Sequence, residues 1–397
     1  MQMIRLRQLH RDERGMSFVF VGIGLTAFIA ATTLAIDVGM FMNARTQAQN
    51  SADAAALSGV TALVFNDYNN RSAGGPAVQS AISTATANKV IFHSPTINAG
   101  DVTFPLGPTG LSNRVQVNVF RTKARGDAVP TLMGSMFGVK SVDIAAGAIA
   151  EASPANAMTC VKPFMIPDKW EEHQTPPWDP NDTYDRYDNK GQLIANPDVY
   201  IGARNCLTCK DNTAYTGYSN AKDKGLQLVL RAGTGNNISP SFYYSWKMPN
   251  DIGGNFYRDN IANCNQSIMH WYDVIVQEPG DMSGPTIQGI TDLINKDPAA
   301  YWEGSGNGGC NCVKGSRYQG QSPRVFPIPL YDPEYYAVGK ANGRDADFRI
   351  ANFLGFFADH VQGNQIYGYV TEITGVVDLS NGTVPAGLFP VSIRLVQ

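Results

Sequence analysis

The most pronounced pattern in the sequence is one uninterrupted apolar run near the first residue. Residues 15–36, GMSFVFVGIGLTAFIAATTLAI, include no charged side chain. A helix of this length is about 33 Å long, and a bilayer core is about 30 Å thick. No later stretch is both long and apolar enough to span a membrane. The pattern therefore predicts a single-pass protein with its transmembrane helix at residues 16–42.

Basic residues are distributed unequally on the two sides of this run. Arg5, Arg7, Arg11 and Arg14 precede it, whereas the first basic residue after it is Arg45. Loops that stay in the cytoplasm carry the excess of Lys and Arg, so residues 1–15 are predicted to form a cytoplasmic basic tail. The bulk of the chain is then expected outside the cytoplasm.

Two other interpretations of the run stay open. A cleaved signal peptide has an apolar core of about 7–15 residues and a small-residue cleavage site. The run here is longer, and Thr33-Leu34-Ala35 is a poor cleavage site. A buried helix of a soluble domain is the second alternative.

The helical period continues past the apolar run and places mostly small side chains on one face. The members of this small-residue stripe are Phe41, Ala44, Ala48, Ala52, Ala55, Gly59 and Ala62. The opposite face is expected to carry Asn43, Gln47, Asn50, Asp53 and Val60. Small side chains let two backbones approach closely. The stripe is therefore interpreted as packing against copies of the chain or related helices, or against the chain's own sheet.

Further along the chain, alternation of apolar and polar residues predicts strands within 114–122 and 142–146. Residues 43–152 are accordingly treated as one helix-and-strand module. The composition changes after residue 152 towards Trp, Tyr, Pro, Asp and Asn, so residues 153–397 are placed in a separate, loop-rich outer region. The expected fold class is α+β.

Within the outer region, apolar periodicity predicts helices at 287–294 and 348–361 and strands at 226–231, 369–378 and 391–396. The segment 325–330 contains Pro327 and Pro329. Because Pro cannot donate to a central ladder, this segment is predicted to be an edge strand or an extended segment.

Composition narrows the class of function. The net charge of −3 argues against a nucleic-acid-binding protein. Charged residues make up 16% of the chain, below the roughly 25% of typical soluble domains. The 39 Gly and 23 Pro predict many turns and loops. Low charge together with many Tyr, Asn, Thr and Ser fits a secreted or surface-exposed module better than a cytosolic enzyme.

All six cysteines follow residue 153, on the side predicted to be oxidising, and an even number there predicts disulfides. The candidates are Cys160, Cys206, Cys209, Cys264, Cys310 and Cys312. Two pairs among them, Cys206 with Cys209 and Cys310 with Cys312, could instead form a four-thiolate zinc site. A redox-active Cys-x-x-Cys is a third alternative.

Evidence for other chemistry is sparse. Oxygen-bearing side chains crowd between Asp179 and Asn189, a composition that suits either weak calcium binding or a solvated polar turn. No histidine has the spacing of a metalloprotease and no Gly-x-Ser-x-Gly elbow is present, so the protein is predicted to be non-enzymatic and without a cofactor. Trp246, Trp271 and Trp302 are either core residues or part of an adhesive, sugar-binding surface.

The N-terminal segment resembles the TadE/TadG-like proteins of the Flp (Tad) pilus system. Arg14-Gly15 before the apolar run, Asp37-Val38-Gly39 at its exit and the segment 49–57, QNSADAAAL, carry this resemblance. A weaker likeness over 114–122 and 132–152 implies a pilin-like strand, helix and strand after the anchor helix.

The resemblance also has two departures. Pilin precursors usually have Glu at the fifth mature position, where this chain has Phe20, so an uncleaved TadG-like protein is the better match. Some relatives carry a metal site of the form Asp-x-Ser-x-Ser, but the segment 378–382 lacks the second Ser, and such a domain is not predicted.

The resemblance implies a bacterial inner-membrane protein, with pilus or pilus-assembly proteins as partners and with possible self-association or incorporation into a surface pilus. The function predicted from it is pilus assembly, or a minor pilin-like subunit, acting through helix packing. An adhesin or ligand-binding protein that uses this type of anchor is the alternative, and a periplasmic hydrolase is a third hypothesis.

Overall fold

The computed structural model describes residues 13–66, 70–107, 112–203, 215–233, 237–250, 253–318, 321–341, 347–378, 380, 384–385 and 387–396. The helices are α1 Glu13–Phe65, α2 Pro76–Ala87, α3 Asn220–Asp223, α4 Gly254–Ala262, α5 Ser283–Lys296 and α6 Pro333–Ala341. The first strands are β1 Val102–Thr103, β2 Arg114–Arg121, β3 Val129–Pro130, β4 Ser141–Val142, β5 Ile144–Pro154, β6 Ala157–Met158, β7 Phe164–Pro167, β8 Gln227–Ala232 and β9 Phe242–Ser245. The remaining strands are β10 Met269–His270, β11 Val274–Val276, β12 Tyr301–Glu303, β13 Cys312–Lys314, β14 Val325–Tyr331, β15 Asp347–Gln362, β16 Gln365–Val370 and β17 Val391–Val396.

The chain divides into two compact units. The first contains Met1–Glu151 together with Arg394–Gln397, and the second contains Ala152–Ile393. The boundary at residue 152 lies one residue from the position where the composition changes. The sequence placed residues 394–396 in the outer region, whereas the structure groups them with the first unit, where β17 hydrogen-bonds to β5.

The first unit is a four-stranded sheet, in the order β1-β2-β5-β17, packed against α1 and α2. β2 has the alternation predicted for it: Val115, Val117 and Val119 are fully buried, and the residues between them are partly exposed. A helix was implied between the two strands by the likeness over 132–152. Within that segment the structure has a single short 3₁₀ turn at Gly134–Phe137.

The second unit is organised around a closed barrel. Its strands follow the order β15-β14-β7-β9-β8-β16, and β16 also pairs with β15, which closes the ring; β11 is added beside β15. Its strands carry bulky side chains such as Phe164, Phe353 and Phe356, all fully buried. The α+β class is therefore correct, although the second unit is richer in strands than the sequence indicated.

The helix predicted at 348–361 was wrong, since this segment is the long strand β15. Nine consecutive residues of β15, 350–358, are buried, so both of its faces are covered. A strand buried on both faces has a continuous apolar run, and such a run contains the helical spacing by chance. The helix predicted at 287–294 is confirmed as part of α5, and the strands at 226–231 and 391–396 are confirmed as β8 and β17.

Two strand predictions also need correction. The segment 325–330 is β14, a central strand between β7 and β15. Its prolines are tolerated because β7 pairs with β14 only at Leu330 and Tyr331, while the carbonyl of Pro327 still accepts the N–H of Lys162. The strand predicted at 369–378 ends at Val370, after which isolated bridges are formed at Thr374 and Val376.

Candidate functional site

The first half of α1 carries the anchor. Among the described residues, α1 is the one helix long and apolar enough to cross a membrane. The large side chains of its apolar run are exposed, with Phe18, Phe20 and Phe28 each at least two-thirds exposed. A water-soluble protein does not leave such a surface uncovered, whereas lipid covers it in a membrane.

The second half of α1 has the opposite surroundings. Here α2 and the sheet cover the helix, and four alanines are at most 1% exposed: Ala44, Ala48, Ala52 and Ala55. A Cβ added to Gly59 would lie 3.0 Å from Val115 Cγ1 and 3.2 Å from Ala81 Cβ. The small-residue stripe therefore packs on the chain's own sheet and on α2, one of the two interpretations that the sequence left open. The predicted polar face included Val60 wrongly, since Val60 is fully buried beside the stripe.

Polar contacts fix the register of α1 against α2. Ser51 Oγ donates to the carbonyl of Ala85 at 3.1 Å, and the hydroxyls of Ser58 and Ser80 lie 2.7 Å apart. Hydroxyl groups removed from water need such partners. These bonds therefore select one alignment of α1 and α2, whose facing surfaces otherwise consist mainly of small apolar side chains.

Asp37 lies where the apolar run ends, and it holds a distant part of the first unit. Its carboxylate accepts the backbone N–H groups of Leu132 at 2.9 Å, Met133 at 3.3 Å and Gly134 at 2.6 Å. Asp37 is only 4% exposed. A buried carboxylate requires donors of this kind, so Asp37 fastens the β3–β4 connection onto α1.

The second unit contains a groove of about 190 Å³ lined by aromatic and charged side chains. Arg349 lies in its wall: its Nη2 pairs with Asp332 Oδ2 at 2.5 Å, and its Nη1 donates to the Tyr272 hydroxyl at 3.0 Å. Trp271 and Tyr200 line the same groove. Aromatic faces beside a fixed charge suit a small polar ligand with an apolar face.

Tyr200 links the groove to a buried carboxylate. Asp168 is fully buried and accepts hydrogen bonds from the Tyr200 hydroxyl at 3.0 Å and the Tyr215 hydroxyl at 2.6 Å. It also accepts the backbone N–H groups of Lys169 at 2.9 Å and Tyr218 at 3.2 Å. Burial raises the pKa of Asp168 to about 6, although these four donors oppose the rise.

This pKa predicts a pH dependence of stability. The folded chain binds the Asp168 proton at a higher pH than the unfolded chain, whose Asp has a pKa near 3.8. The free energy of unfolding should therefore fall as the pH rises from about 4 to about 6, by about 3 kcal/mol, and stay level above that window. Urea titrations of the detergent-solubilised chain at several pH values measure it. Asp168→Asn should remove this component of the slope, and equal slopes in both proteins would contradict the assignment.

The structure answers part of the cysteine prediction. Cys160 is bonded to Cys264, and Cys310 is bonded to Cys312. Cys206 and Cys209 lie outside the described residues. The four-thiolate zinc alternative was wrong for Cys310 and Cys312, since a disulfide leaves no thiolate to bind a metal. Glu303 lies beside this pair, where its carboxylate accepts the Cys310 N–H at 3.1 Å.

The acidic segment around Asp179 is organised by its own backbone. Asp182 accepts the N–H of Asp179 at 2.6 Å, Asp179 accepts that of Asn181 at 2.6 Å, and Asp188 accepts that of Lys190 at 2.8 Å. These bonds are typical of polar turns. Calcium binding there stays an untested prediction, as does the absence of a cofactor.

The three tryptophans divide between core and surface. Trp246 is fully buried and donates to the carbonyl of Lys162 at 2.9 Å, and Trp302 stacks on Tyr369 at 5.1 Å between ring centroids. Trp271 alone of the three lines the groove. Sequence reasoning missed the rest of this groove because its residues come from separate segments of the chain and share no motif.

Together these features fit a membrane-anchored protein in which one helix serves first as the anchor and then as the core helix of a small module. Residues 15–62 match the family model of putative Flp pilus-assembly TadE/G-like proteins. The match confirms the resemblance of this segment to TadE/G-like pilus-assembly proteins. No curated protein and no solved structure matches the chain.

Proposed function

We propose that the protein is a non-enzymatic, membrane-anchored component of a Flp/Tad-type pilus, acting in assembly or as a minor pilin-like subunit. The observation that supports this most strongly is the coincidence of the family match over 15–62 with a helix that is exposed along its apolar run and buried beyond it. The proposed arrangement has residues 1–15 in the cytoplasm, and the part of the first unit that follows the anchor lies outside the inner membrane together with the second unit.

The burial of side chains along α1 indicates which part of this helix can contact other pilus proteins. The small-residue stripe from Ala44 to Gly59 is covered within the first unit, so we assign lateral contacts with other pilus proteins to the exposed side chains within residues 16–36. α1 is continuous from Glu13 to Phe65, so a lateral contact made in the membrane also fixes the orientation of the module outside it.

The distribution of the full-length protein between sheared surface filaments and inner membranes tests this proposal. A minor subunit travels with the filaments, whereas an assembly factor remains in the membrane and its deletion abolishes filaments. An inner-membrane marker protein controls for lysis. Normal filaments in a deletion strain, together with absence of the protein from them, would reject both forms of the proposal.

Lateral packing can be tested without disturbing the fold. A Cβ added at Gly22 or Gly24 meets nothing within 4 Å, so Gly22→Leu and Gly24→Leu are expected to leave the protein folded and membrane-inserted. If other helices approach this surface closely, the double variant should lose most surface filaments at unchanged protein level, because two leucine side chains separate the backbones. The matched control is Leu25→Val, a change of apolar side chain at an exposed position. Full piliation in the double variant would contradict packing at these glycines.

The groove favours a second candidate function, an adhesin or ligand-binding protein with a TadG-like anchor. Trp271 and Arg349 supply an aromatic face and a fixed charge. On this alternative, Trp271→Ala should abolish attachment of cells to a surface while filament number stays normal. Loss of filaments, or unchanged attachment, would count against it.

A further inference from the structure

The connection between β3 and β4, residues 131–140, forms a tip on which four of the described apolar side chains are exposed. The tip is closed by the Val139 N–H donating to the carbonyl of Gly134 at 3.0 Å and by Thr131 Oγ1 donating to the carbonyl of Val139 at 2.6 Å. Its backbone is thus held in one shape by internal hydrogen bonds. We call residues 131–140 the apolar tip.

Four large apolar residues of the apolar tip are exposed. Leu132 is 61% exposed, Met133 41%, Phe137 64% and Val139 50%. A single exposed apolar residue is ordinary, but four within eight positions form a patch that in soluble proteins marks a contact surface. Lys140, which directly follows the patch, is also exposed.

The position of the apolar tip relative to α1 indicates what covers it. Its backbone N–H groups at Leu132, Met133 and Gly134 bind the carboxylate of Asp37, the first charged residue after the apolar run. The run of residues 15–36 is about as long as a bilayer core is thick, so α1 leaves the hydrocarbon within about a turn of Asp37.

The face of α1 that is covered by other residues begins one turn before Asp37, closer to the centre of the membrane. Thr33, one turn before Asp37 and on the same face, is only 6% exposed, whereas its neighbours Thr32 and Leu34 are exposed. Residues outside α1 therefore contact it at the level of the last turn of the apolar run, which is the level of the headgroups and upper acyl chains.

We propose that the apolar tip inserts into the membrane interface beside α1, as a second membrane contact of this protein. The occupant of the patch is the lipid leaflet from which α1 emerges: Leu132, Met133 and Phe137 bury in the headgroup–acyl boundary, and Lys140 lies among the lipid phosphates. Asp37 is the positioning residue, because it holds the tip at that depth. This contact fixes the tilt and rotation of α1 in the bilayer, which a single helix alone does not fix.

The test uses the full chain, purified and reconstituted into vesicles of phosphatidylethanolamine and phosphatidylglycerol. An environment-sensitive fluorescent amino acid replaces Phe137, and quenching is measured with lipids that carry a nitroxide near the headgroup end of the acyl chain. The matched control is the same probe in place of Phe92, which is 89% exposed in the same unit. Its neighbour Ile91 donates its N–H to Gln47 at 2.7 Å, about 15 Å further along α1 than Asp37.

The expected result is strong lipid quenching and blue-shifted emission at position 137, with neither at position 92. Asp37→Ala should remove most of the quenching at position 137, because the tip loses its hold on α1. Unquenched, water-like emission at position 137 would overturn the proposal. So would blue-shifted emission that lipid does not quench, since another copy of the chain would then cover the patch.

A third probe, in place of Phe28 within the apolar run and measured with lipids that carry the nitroxide deep in the acyl chain, separates this proposal from the anchor itself. Quenching at Phe28 without quenching at Phe137 overturns the apolar tip and leaves the anchor and the pilus proposal intact. Absence of quenching at both positions overturns the anchor and the apolar tip together.

Discussion

Replacement of Cys160 and Cys264 by Ser should lower the free energy of unfolding of the second unit by about 4 kcal/mol. The disulfide joins residues 104 positions apart, and a cross-link across a long loop removes the most entropy from the unfolded chain. It also ties the segment before β7 to the segment after α4, where the Cys160 N–H donates to the carbonyl of Asn265 at 2.8 Å. Urea unfolding followed by tryptophan fluorescence measures the loss, since Trp246 is buried in this unit.

The second disulfide provides a matched control in the same unit. Cys310 and Cys312 are 2 positions apart, so replacing both by Ser should cost less than about 2 kcal/mol on the same entropy argument. Equal losses from the two replacements would mean that the stabilisation does not come from restricting the unfolded chain.

Leucine in place of Ala48, Ala52 and Ala55 should unfold the first unit. Each of these residues is at most 1% exposed, and each enlarged side chain should cost about 1–3 kcal/mol in a core with no space for it. In membranes, the module of the triple variant should therefore lose its resistance to protease while the anchor stays inserted. The control is Asn50→Leu, an exposed position on the same helix, which should remain resistant.

This second experiment also decides between the two interpretations of the small-residue stripe. If the triple variant keeps a protease-resistant module but the cells lose their pili, the stripe contacts other proteins and the burial described here is not its functional state. If the module is degraded, loss of pili has a structural origin, and the exposed residues 16–36 remain the surface to examine.

The elements that the sequence predicted correctly are those whose pattern is local. The apolar run defines the anchor by length alone, and the valines of β2 alternate because one face of that strand meets α1 and the other does not. The structure also divides after residue 151, close to the change in composition between the Ala-rich module and the aromatic barrel.

Other elements depend on tertiary surroundings that no local pattern reports. β15 has no alternation because the barrel covers both of its faces, and Pro327 fits in a central strand because its neighbour pairs elsewhere. The contact of Asp37 with Leu132–Gly134 joins residues about 95 positions apart, and backbone N–H groups carry no sequence signature. The groove around Arg349 was missed for the same reason, since its members meet only after folding.

The strand order of the first unit has a consequence for biosynthesis. β1, β2 and β5 come from the first 154 residues, but the fourth strand of the sheet, β17, is Val391–Val396. The first unit therefore cannot be completed until about 240 further residues have been translated, during which one long edge of β5 has no partner strand. The sheet is complete only after the ribosome has passed residue 396. A prematurely terminated chain would therefore carry an intact anchor and an unfinished module. Proteolytic quality control removes molecules of this kind.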